Sequence, residues 1–440
     1  MARALVPTVC PYCAAGCGFF IAVQKGRASG IEYMPDHPAS EGALCSKGNA
    51  ALEILDHPDR LRTPLRRKGD GWERISWDEA LDLVAKGLDR ALKSYGPDSI
   101  GFLSSSKCSN EENYLFQKLA RSIGCRNVDS CARLCHAPSV VGLNRTLGVA
   151  GMTNPIPDVA RSKCIFIIGS NLAENHPVLS RWVHRARDAG TTVIVADTRR
   201  THTFWMADIF LPLKPGTDVA SSEPCSQNAQ KALEALDIIC RVAGRMGLDF
   251  SYPDVASVLA EINRLVPQYG GITRERLDPH GLVWPCSDSS HPGTPILHAG
   301  GFKLDGGRAA IVPVQYRPPE EPISSEYPFI LTTGRVAVHH NAGSMTRRSP
   351  SLQKREPDLF FEINLKDAQE LDVADGDEVT VASSRGETVA VARLTDGMKR
   401  GVVFMPFHFP RTNILTSEFT DDEAWIPEFK VSACKITKRD

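Results

Sequence analysis

The sequence predicts an α/β protein with a cysteine-rich start and a separate β-rich end. Residues 164–197 give apolar strand, helix, apolar strand, while residues after Tyr327 give only short strand-like runs. The first 60 residues hold the densest cysteines and show little regular periodicity. These observations predict four segments, 1–60, 61–220, 221–325 and 326–440.

Composition excludes several classes of protein. The 440 residues are 42% hydrophobic, 23% charged and 7% aromatic, which is typical of folded globular domains. The 51 basic and 52 acidic residues give a net charge of −1, which excludes a general nucleic-acid binder and a polybasic membrane-surface protein. No apolar run approaches the roughly 20 residues of a membrane span. Without a signal-peptide core at its start, the chain is predicted to be cytoplasmic.

The first α/β elements follow the N-terminal segment. Ser76 with Glu79 predicts a capping box, which opens a helix that ends at Gly96. A strand over 99–103 and a helix over 110–123 come next.

A strand–helix–strand unit lies between Cys164 and Asp197. The strand 164–169 is followed by a helix that begins near His176-Pro177 and ends near Gly190, and then by a strand over 191–196. Ligands of open α/β sheets bind beyond the carboxyl ends of the strands, which indicates residues 169–171 and 197–199. No G-x-G-x-x-G follows the first strand, so an ordinary NAD site is disfavoured.

The remaining chain divides into an irregular part and a β part. One helix is predicted over 229–246, and Pro, Gly, His and Ser between 278 and 322 predict a long irregular connection. Strands are predicted over 329–333, 359–363, 378–382, 387–393 and 402–406. Together they predict a barrel, with a tight turn at Ser384–Gly386.

Cysteine spacing indicates a metal centre. Nine of thirteen cysteines precede residue 165, and Cys10, Cys13, Cys17 and Cys45 form C-x2-C-x3-C-x27-C. Three close thiolates and one distant one are typical of a 4Fe–4S cluster, whereas four-cysteine zinc sites usually have paired C-x2-C units. Lys47 follows closely, either as a solvated charge or as a functional neighbour of the cluster.

A second motif joins a thiol to an imidazole. Cys135 is followed directly by His136, which places a soft metal ligand beside a group that titrates near neutrality. The pair indicates either a metal centre that handles protons with electrons, or a buried cysteine beside a hydrogen-bonded histidine.

Together these motifs resemble the catalytic subunits of formate dehydrogenases. The resemblance rests on V-C-P-Y-C-A-A-G-C-G at 9–18, L-C-S-K-G at 44–48, C-A-R-L-C-H-A-P-S at 131–139, I-I-G-S-N-L-A-E-N-H-P at 167–177 and L-T-T-G-R at 331–335. These enzymes are molybdenum or tungsten oxidoreductases with a pair of molybdopterin guanine dinucleotides (bis-MGD). The resemblance implies an N-terminal 4Fe–4S domain, a Rossmann-like α/β region that is partly deleted here, and a C-terminal double-psi-type β-barrel.

The resemblance also implies roles for individual residues. Cys10, Cys13, Cys17 and Cys45 would hold the 4Fe–4S cluster, Lys47 would bridge it to a pterin, Cys135 would ligate molybdenum or tungsten, and His136 would handle protons. Positions that would contact the dinucleotides are Gly169, Asn171, His176, Asp197, Thr198, Arg199, Gly216, Asp218, Gly334, Arg335, His340, Ser344, Met345, Thr346 and Lys430.

The implied reaction is the reversible oxidation of formate to carbon dioxide. Electrons would leave through the cluster to a partner subunit, either a flavoprotein or an iron–sulfur protein. No nucleic acid and no membrane span are expected.

The chain departs from the family after residue 220. Relatives carry on the order of 200 further residues there, a domain's worth. The strings G-E-D-P and R-G-Q-N-N, the second of which supplies an arginine that orients formate, are missing. Arg133 or Arg335 would have to replace that arginine. Besides an active enzyme, the sequence therefore allows an inactive Fe–S scaffold or remnant, or a subunit like those of formylmethanofuran dehydrogenases.

Overall fold

The computed structural model describes residues 3–215, 233–277, 281–312 and 318–439. The chain divides into two compact units. The first unit comprises Met1–His57, His136–Ser226 and Gly300–Asp440, and the second comprises Pro58–Cys135 and Gln227–Ala299.

Both units mix strands and helices. The strands are β1 Ala4–Val9, β2 Gly18–Gln24, β3 Arg27–Tyr33, β4 Leu65–Lys68, β5 Gly71–Arg74, β6 Phe102–Ser104, β7 Val128–Ser130, β8 Cys164–Ile168, β9 Thr192–Asp197, β10 Ile209–Pro212, β11 Phe329–Gly334, β12 Phe360–Asn364, β13 Glu378–Ser383, β14 Gly386–Thr395, β15 Val402–Pro406 and β16 Ser432–Lys438. The helices are α1 Ser46–Asn49, α2 Trp77–Tyr95, α3 Asn110–Ser122, α4 Ala132–Cys135, α5 Ala137–Leu147, α6 Leu172–Asn175, α7 Pro177–Asp188, α8 Leu233–Arg245, α9 Val255–Leu265, α10 Arg274–Leu277, α11 Pro350–Gln353, α12 Leu365–Glu370 and α13 Pro410–Asn413.

The first unit begins with an antiparallel sheet in the order β1-β2-β3. The prediction of little regular structure in this segment was wrong. The signal is weak because β1 and β3 are largely exposed on both faces, so neither strand shows a clean alternation of apolar and polar residues. Phe19 on β2 is fully buried and packs with the cysteines that flank this strand.

The strand–helix–strand prediction is confirmed. Strands β8 and β9 pair in parallel, α6 and α7 connect them, and α7 begins at Pro177 as expected. Strand β10 extends the sheet in the order β10-β9-β8 and was not predicted. Val193 and Val195 of β9 pack on Val183 of α7 in the core of this layer.

The β-rich end is a closed barrel, as predicted. Its strand order is β11-β15-β12-β14-β13-β16, with parallel pairs β11–β15 and β12–β14. Apolar side chains such as Phe361 and Val403 fill its interior. Strand β16, which closes the barrel against β11 and β13, escaped prediction because it carries Ser432, Lys435 and Lys438 among its apolar residues.

The second unit is mainly helical. Helices α2, α3, α8 and α9 pack around one apolar core. The described part of the helix predicted over 229–246 is α8, and α9 was not predicted. Within the described residues, no helix combines the length and apolarity that crossing a membrane requires.

Two local predictions in this unit need correction. The Ser76 hydroxyl accepts a hydrogen bond from the Glu79 amide at 3.1 Å, but the Glu79 carboxylate pairs with Arg66, so only half of the capping box forms. The complete box lies instead at Ser109 and Glu112. The strand predicted over 99–103 is shorter, because Pro97–Ser99 forms a 3-10 turn and β6 begins at Phe102.

Candidate cofactor site

The N-terminal cysteines surround one end of the antiparallel sheet in the first unit. Cys10 follows β1 and Cys17 precedes β2, and the Cys10 amide donates to the Cys17 carbonyl at 2.9 Å. Gly16 adopts a φ of 66° in the turn between them. Cys45 caps α1, and a Cβ built on Gly48 of that helix would lie 3.7 Å from Cys10 Sγ. The short helix therefore returns the distant fourth cysteine to the first three.

The four thiols influence one another. Burial raises the pKa of Cys17, and the fields of Cys10, Cys13 and Cys45 raise it further. Burial also raises the pKa of Cys13, against which the nearby cations Lys47 and Arg335 act. A raised pKa keeps these thiols protonated in the metal-free protein. A bound metal centre would ionise them, because its positive charge stabilises thiolates.

Nowhere in the described ranges do three His, Cys, Asp or Glu side chains converge on one ion position.

Lys47 is buried beside these cysteines. Its side chain is 1% exposed, and its ammonium donates to the carbonyl of Glu174 at 3.2 Å and to that of Ala337. Buried lysines are rare unless they are paired. Two carbonyl acceptors leave a third donor for a further polar group, so the interpretation as a merely solvated charge was wrong.

Polar groups collect where β8 and β9 end. Gly169 follows β8 with a φ of 60°, and Asn171 caps α6. Three side-chain atoms here are buried and have no hydrogen-bond partner within the described residues: Asn171 Nδ2, Asn175 Oδ1 and the Thr201 hydroxyl. Such atoms are costly unless a ligand or water satisfies them.

Asp197 and its neighbours are held by the protein itself. The Asp197 carboxylate ends β9 and accepts from the Arg199 amide at 3.0 Å, with the Thr198 hydroxyl at 3.4 Å. The Arg199 guanidinium pairs with Glu362 at 2.7 Å and stacks on Phe404. Gly216 and Asp218 lie outside the described residues.

A histidine and an arginine lie close to Lys47. Burial, then the charges of Arg335 and Lys47, lower the pKa of His176 to about 4. Burial and Arg335 also lower the pKa of His136, which precedes α5. The Arg335 Nε is buried and has no acceptor in the part of the chain that the structure describes. Arg335 thus brings a positive charge to both histidines.

The residues of the C-terminal domain that were predicted to contact the cofactor lie in different surroundings. His340 lies edge-to-face against Tyr12 at 5.7 Å, Met345 packs on the cysteine core, and the buried Thr346 hydroxyl accepts from the His340 amide at 3.2 Å. Gly334 ends β11, and Lys430 donates to the Thr333 carbonyl at 2.8 Å. Ser344 is exposed, and its carbonyl accepts from Arg348.

Cys135 belongs to the second unit, where it is exposed at the end of α4. Arg133 on the same helix donates to Asp129 at 2.9 Å. The interpretation of Cys135 as a buried structural cysteine was therefore wrong.

Tyr12, Asn175 and Thr201 escaped prediction as site residues. Tyr12 sits inside the C-x2-C spacing, Asn175 inside the strand-end segment and Thr201 just beyond Asp197–Arg200. Their hydroxyl and amide atoms are buried without partners in the described ranges. Position next to the motifs was the only signal in the sequence.

The residues present fit two cofactors. Four mutually coupled thiols suit a 4Fe–4S cluster, and the unsatisfied polar atoms beyond β8 and β9 suit a polar, phosphate-bearing ligand at the carboxyl ends of a parallel sheet. Such a combination is typical of an oxidoreductase that joins an iron–sulfur cluster to a dinucleotide-like cofactor.

Family comparison identifies that class. Residues 4–57 match the molybdopterin oxidoreductase Fe4S4 domain, and residues 60–381 match the molybdopterin oxidoreductase family. The chain belongs to the molybdopterin oxidoreductases, and it is an enzyme whose cofactors are a 4Fe–4S cluster and molybdopterin with molybdenum or tungsten.

Individual relatives refine the comparison. The F420-dependent formate dehydrogenase subunit alpha of Methanocaldococcus jannaschii is 30% identical, with 99% of each chain covered. Subunit alpha of F420-dependent formate dehydrogenase 1 of Methanococcus maripaludis is 29% identical, with 98% of this chain and 99% of the relative covered. The first alignment spans 673 positions, more than the 440 residues of this chain, so positions that the relative has are missing from this chain. That they form one stretch after residue 220 stays a prediction.

A solved structure supports the fold. Acetylene hydratase from Pelobacter acetylenicus superposes with a TM-score of 0.72 at 15% identity, covering 98% of this chain and 100% of that one. At this identity the likeness concerns the fold alone.

Proposed function

We propose that the protein catalyses the reversible oxidation of formate to carbon dioxide and passes the electrons through its cluster to a partner subunit. The observation that carries the proposal is the end-to-end similarity to formate dehydrogenase alpha subunits. A flavoprotein or an iron–sulfur protein suits the role of partner, because a two-electron oxidation that leaves through a one-electron cluster needs an acceptor beyond this chain.

Cys135 and His136 take the central roles in this proposal. Cys135 would ligate the metal of the cofactor, which when bound accepts the two electrons that formate loses. A neutral imidazole at His136 would take up the proton released from formate. Burial and the Arg335 charge favour that neutral form by lowering the pKa of His136.

Arg335 is the better candidate to replace the missing formate-orienting arginine. A carboxylate substrate favours a guanidinium partner. Arg133 already pairs with a carboxylate, that of Asp129. Arg335 donates from Nη2 to the neutral Asn341 side chain at 3.3 Å, and its buried Nε has no acceptor among the described residues. Arg335 also acts on His136 electrostatically, so formate held there would lie near the proton acceptor.

Lys47 would bridge the cluster and a pterin on the path of electron transfer. Its charge acts on the cluster ligand Cys13, and its ammonium is anchored to backbone carbonyls at residues 174 and 337. A fixed cation beside the cysteines favours the reduced, more negative cluster. The buried polar atoms of Asn171, Asn175 and Thr201 would hold the pterin.

The remaining predicted contacts belong to the same proposal. The contacts with both dinucleotides of bis-MGD stay predictions. So do the four-segment division of the chain and the double-psi type of the barrel. The parallel pairs β11–β15 and β12–β14 inside one closed barrel support the last of these.

The direct test uses protein purified without oxygen. Iron, molybdenum and tungsten per chain are measured by elemental mass spectrometry, and formate-dependent reduction of a viologen dye is followed. We expect about four irons, as one 4Fe–4S cluster requires, with one heavy metal and measurable turnover.

Cys135→Ser should abolish turnover, because the metal loses its thiolate ligand, while the absorbance of the cluster stays unchanged. Cys164→Ser, at an exposed cysteine on β8, is the matched control and should keep full activity. Equal activity of Cys135→Ser and the control would remove Cys135 from the metal.

Iron without molybdenum or tungsten in the elemental measurement, together with no reduction of the dye, would contradict the proposed formate reaction. The chain would then hold its cluster without turnover, as expected of an inactive scaffold.

A further inference from the structure

We propose that Cys108 and Cys131 are a redox-active thiol pair that closes to a disulfide when it meets a low-molecular-weight disulfide. Neither residue belongs to the cluster set or to the proposed metal site. The inference rests on the second unit alone and does not depend on the proposed function.

The topology brings the two cysteines together. Strands β6 and β7 pair in parallel, with Ser104 opposite Ser130, so the residues that follow both strands emerge at the same edge. The Cys131 amide donates to the Ser104 carbonyl at 3.2 Å. The chain after β6 folds into a turn in which the Cys108 amide donates to the Ser105 carbonyl at 3.1 Å. A β-turn keeps its first and fourth Cα atoms within about 7 Å, which returns Cys108 to this edge.

The sulfur of Cys131 points into that turn. It accepts from the Ser106 amide at 3.2 Å and lies 3.2 Å from the Ser106 hydroxyl. Only Lys107 therefore separates Cys108 from Ser106, whose backbone amide contacts the Cys131 sulfur. The charge of Cys131 also acts on Cys108, which is an independent sign of their proximity.

The two thiols have different environments. Cys131 is exposed, so a small disulfide can reach its sulfur, and Cys131 suits the role of the attacking thiol. Cys108 is half-buried, and burial and the Glu112 carboxylate both raise its pKa. It therefore suits the role of the second, resolving thiol.

The chemistry balances as two thiol–disulfide exchanges. The Cys131 thiolate attacks one sulfur of the small disulfide, a mixed disulfide forms, and one small thiolate leaves. Cys108 then loses its proton and attacks the Cys131 sulfur, which releases the second small thiolate. Two protein thiols are oxidised, and one small disulfide is reduced to two thiols.

Oxidised glutathione is the probe, added to the full chain in the absence of oxygen. The remaining thiols are alkylated and tryptic peptides are mapped without reduction. Cleavage after Lys107, Lys118, Arg126 and Arg133 puts Cys108, Cys131 and Cys135 on separate peptides. We expect peptide 108–118 linked to peptide 127–133, with both thiols lost together. A link between peptides 127–133 and 134–145, or an unreacted Cys131, would overturn the proposal.

Two variants keep the test specific. Cys108→Ser should stop the reaction at a stable glutathione adduct on Cys131, because no resolving thiol remains. Cys164→Ser should form the linked peptides at the wild-type rate. Release of two small thiols per Cys131 in Cys108→Ser would show that another cysteine resolves the adduct and would refute the pairing.

Discussion

Two parts of the proposed cofactor site form by different means. One is the cysteine loop from Cys10 to Cys45, and the other is the polar shell, which comprises Lys47, Asn171, Asn175 and Thr201. The loop takes its ligands from one stretch of chain, Cys10 to Cys45, and closes with short-range hydrogen bonds. The shell depends on residues far apart, as in the contacts of Lys47 with residues 127 and 290 positions away. Local sequence spacing can therefore predict the loop, whereas the shell forms only when distant parts of the chain have folded together.

The largest effect is expected in the loop. Cys13→Ala should remove nearly all iron from the protein, because three thiolates do not hold the cube as four do. Iron per chain and the visible absorbance of the cluster measure this. Cys240→Ala, at a half-buried cysteine of the second unit, is the control and should keep its iron. Full iron in Cys13→Ala would break the comparison, since the loop would then not be the ligand set.

Lys47→Met tests the shell. Two backbone carbonyls would lose their buried donor, so we expect the free energy of unfolding to fall by about 3 kcal/mol. Chemical denaturation measures it. Lys68→Met, at an exposed side chain paired with Glu73, should change stability by less than about 0.5 kcal/mol. An unchanged free energy of unfolding in Lys47→Met would show that the ammonium does not stabilise the shell.

His176 gives a smaller, pH-dependent effect. Burial, Arg335 and Lys47 hold its folded pKa at about 4, below the unfolded value of 6.5. Between these values the unfolded chain binds a proton that the folded chain does not, so stability falls as the pH drops through this window. From pH 7 to pH 5 this group contributes a fall of about 2 kcal/mol.

His176→Asn should lack that part of the fall. Unfolding free energies of the variant and the wild type at pH 7 and pH 5 provide the measurement, with His184→Asn, at an exposed position of α7, as the control. An identical fall in His176→Asn and wild type would mean that burial, Arg335 and Lys47 do not together lower the pKa of His176.

Prediction from sequence succeeded where a feature is periodic or closely spaced. Strands β8 and β9 with α7 and the strands β11 to β15 follow from such patterns. The spacing of the four cysteines predicts the cluster ligands in the same way, and this assignment stays a prediction. Strands β1 and β3 escaped because their mixed exposure gives no alternation, and the capping box at Ser76 failed because Arg66 competes for Glu79. A competing partner from another element is invisible in a local motif.

The sequence by itself determined the strand–helix–strand unit and the thiol–imidazole pair at 135 and 136, and it predicted the four cluster ligands, because each needs only local spacing. Tertiary structure alone decided that Lys47 is buried, that Arg335 acts on His136 and His176, and that Asn171, Asn175 and Thr201 have unsatisfied polar atoms. Burial and electric fields depend on every group packed around an atom. Those groups come from distant parts of the chain, so only the folded protein sets them.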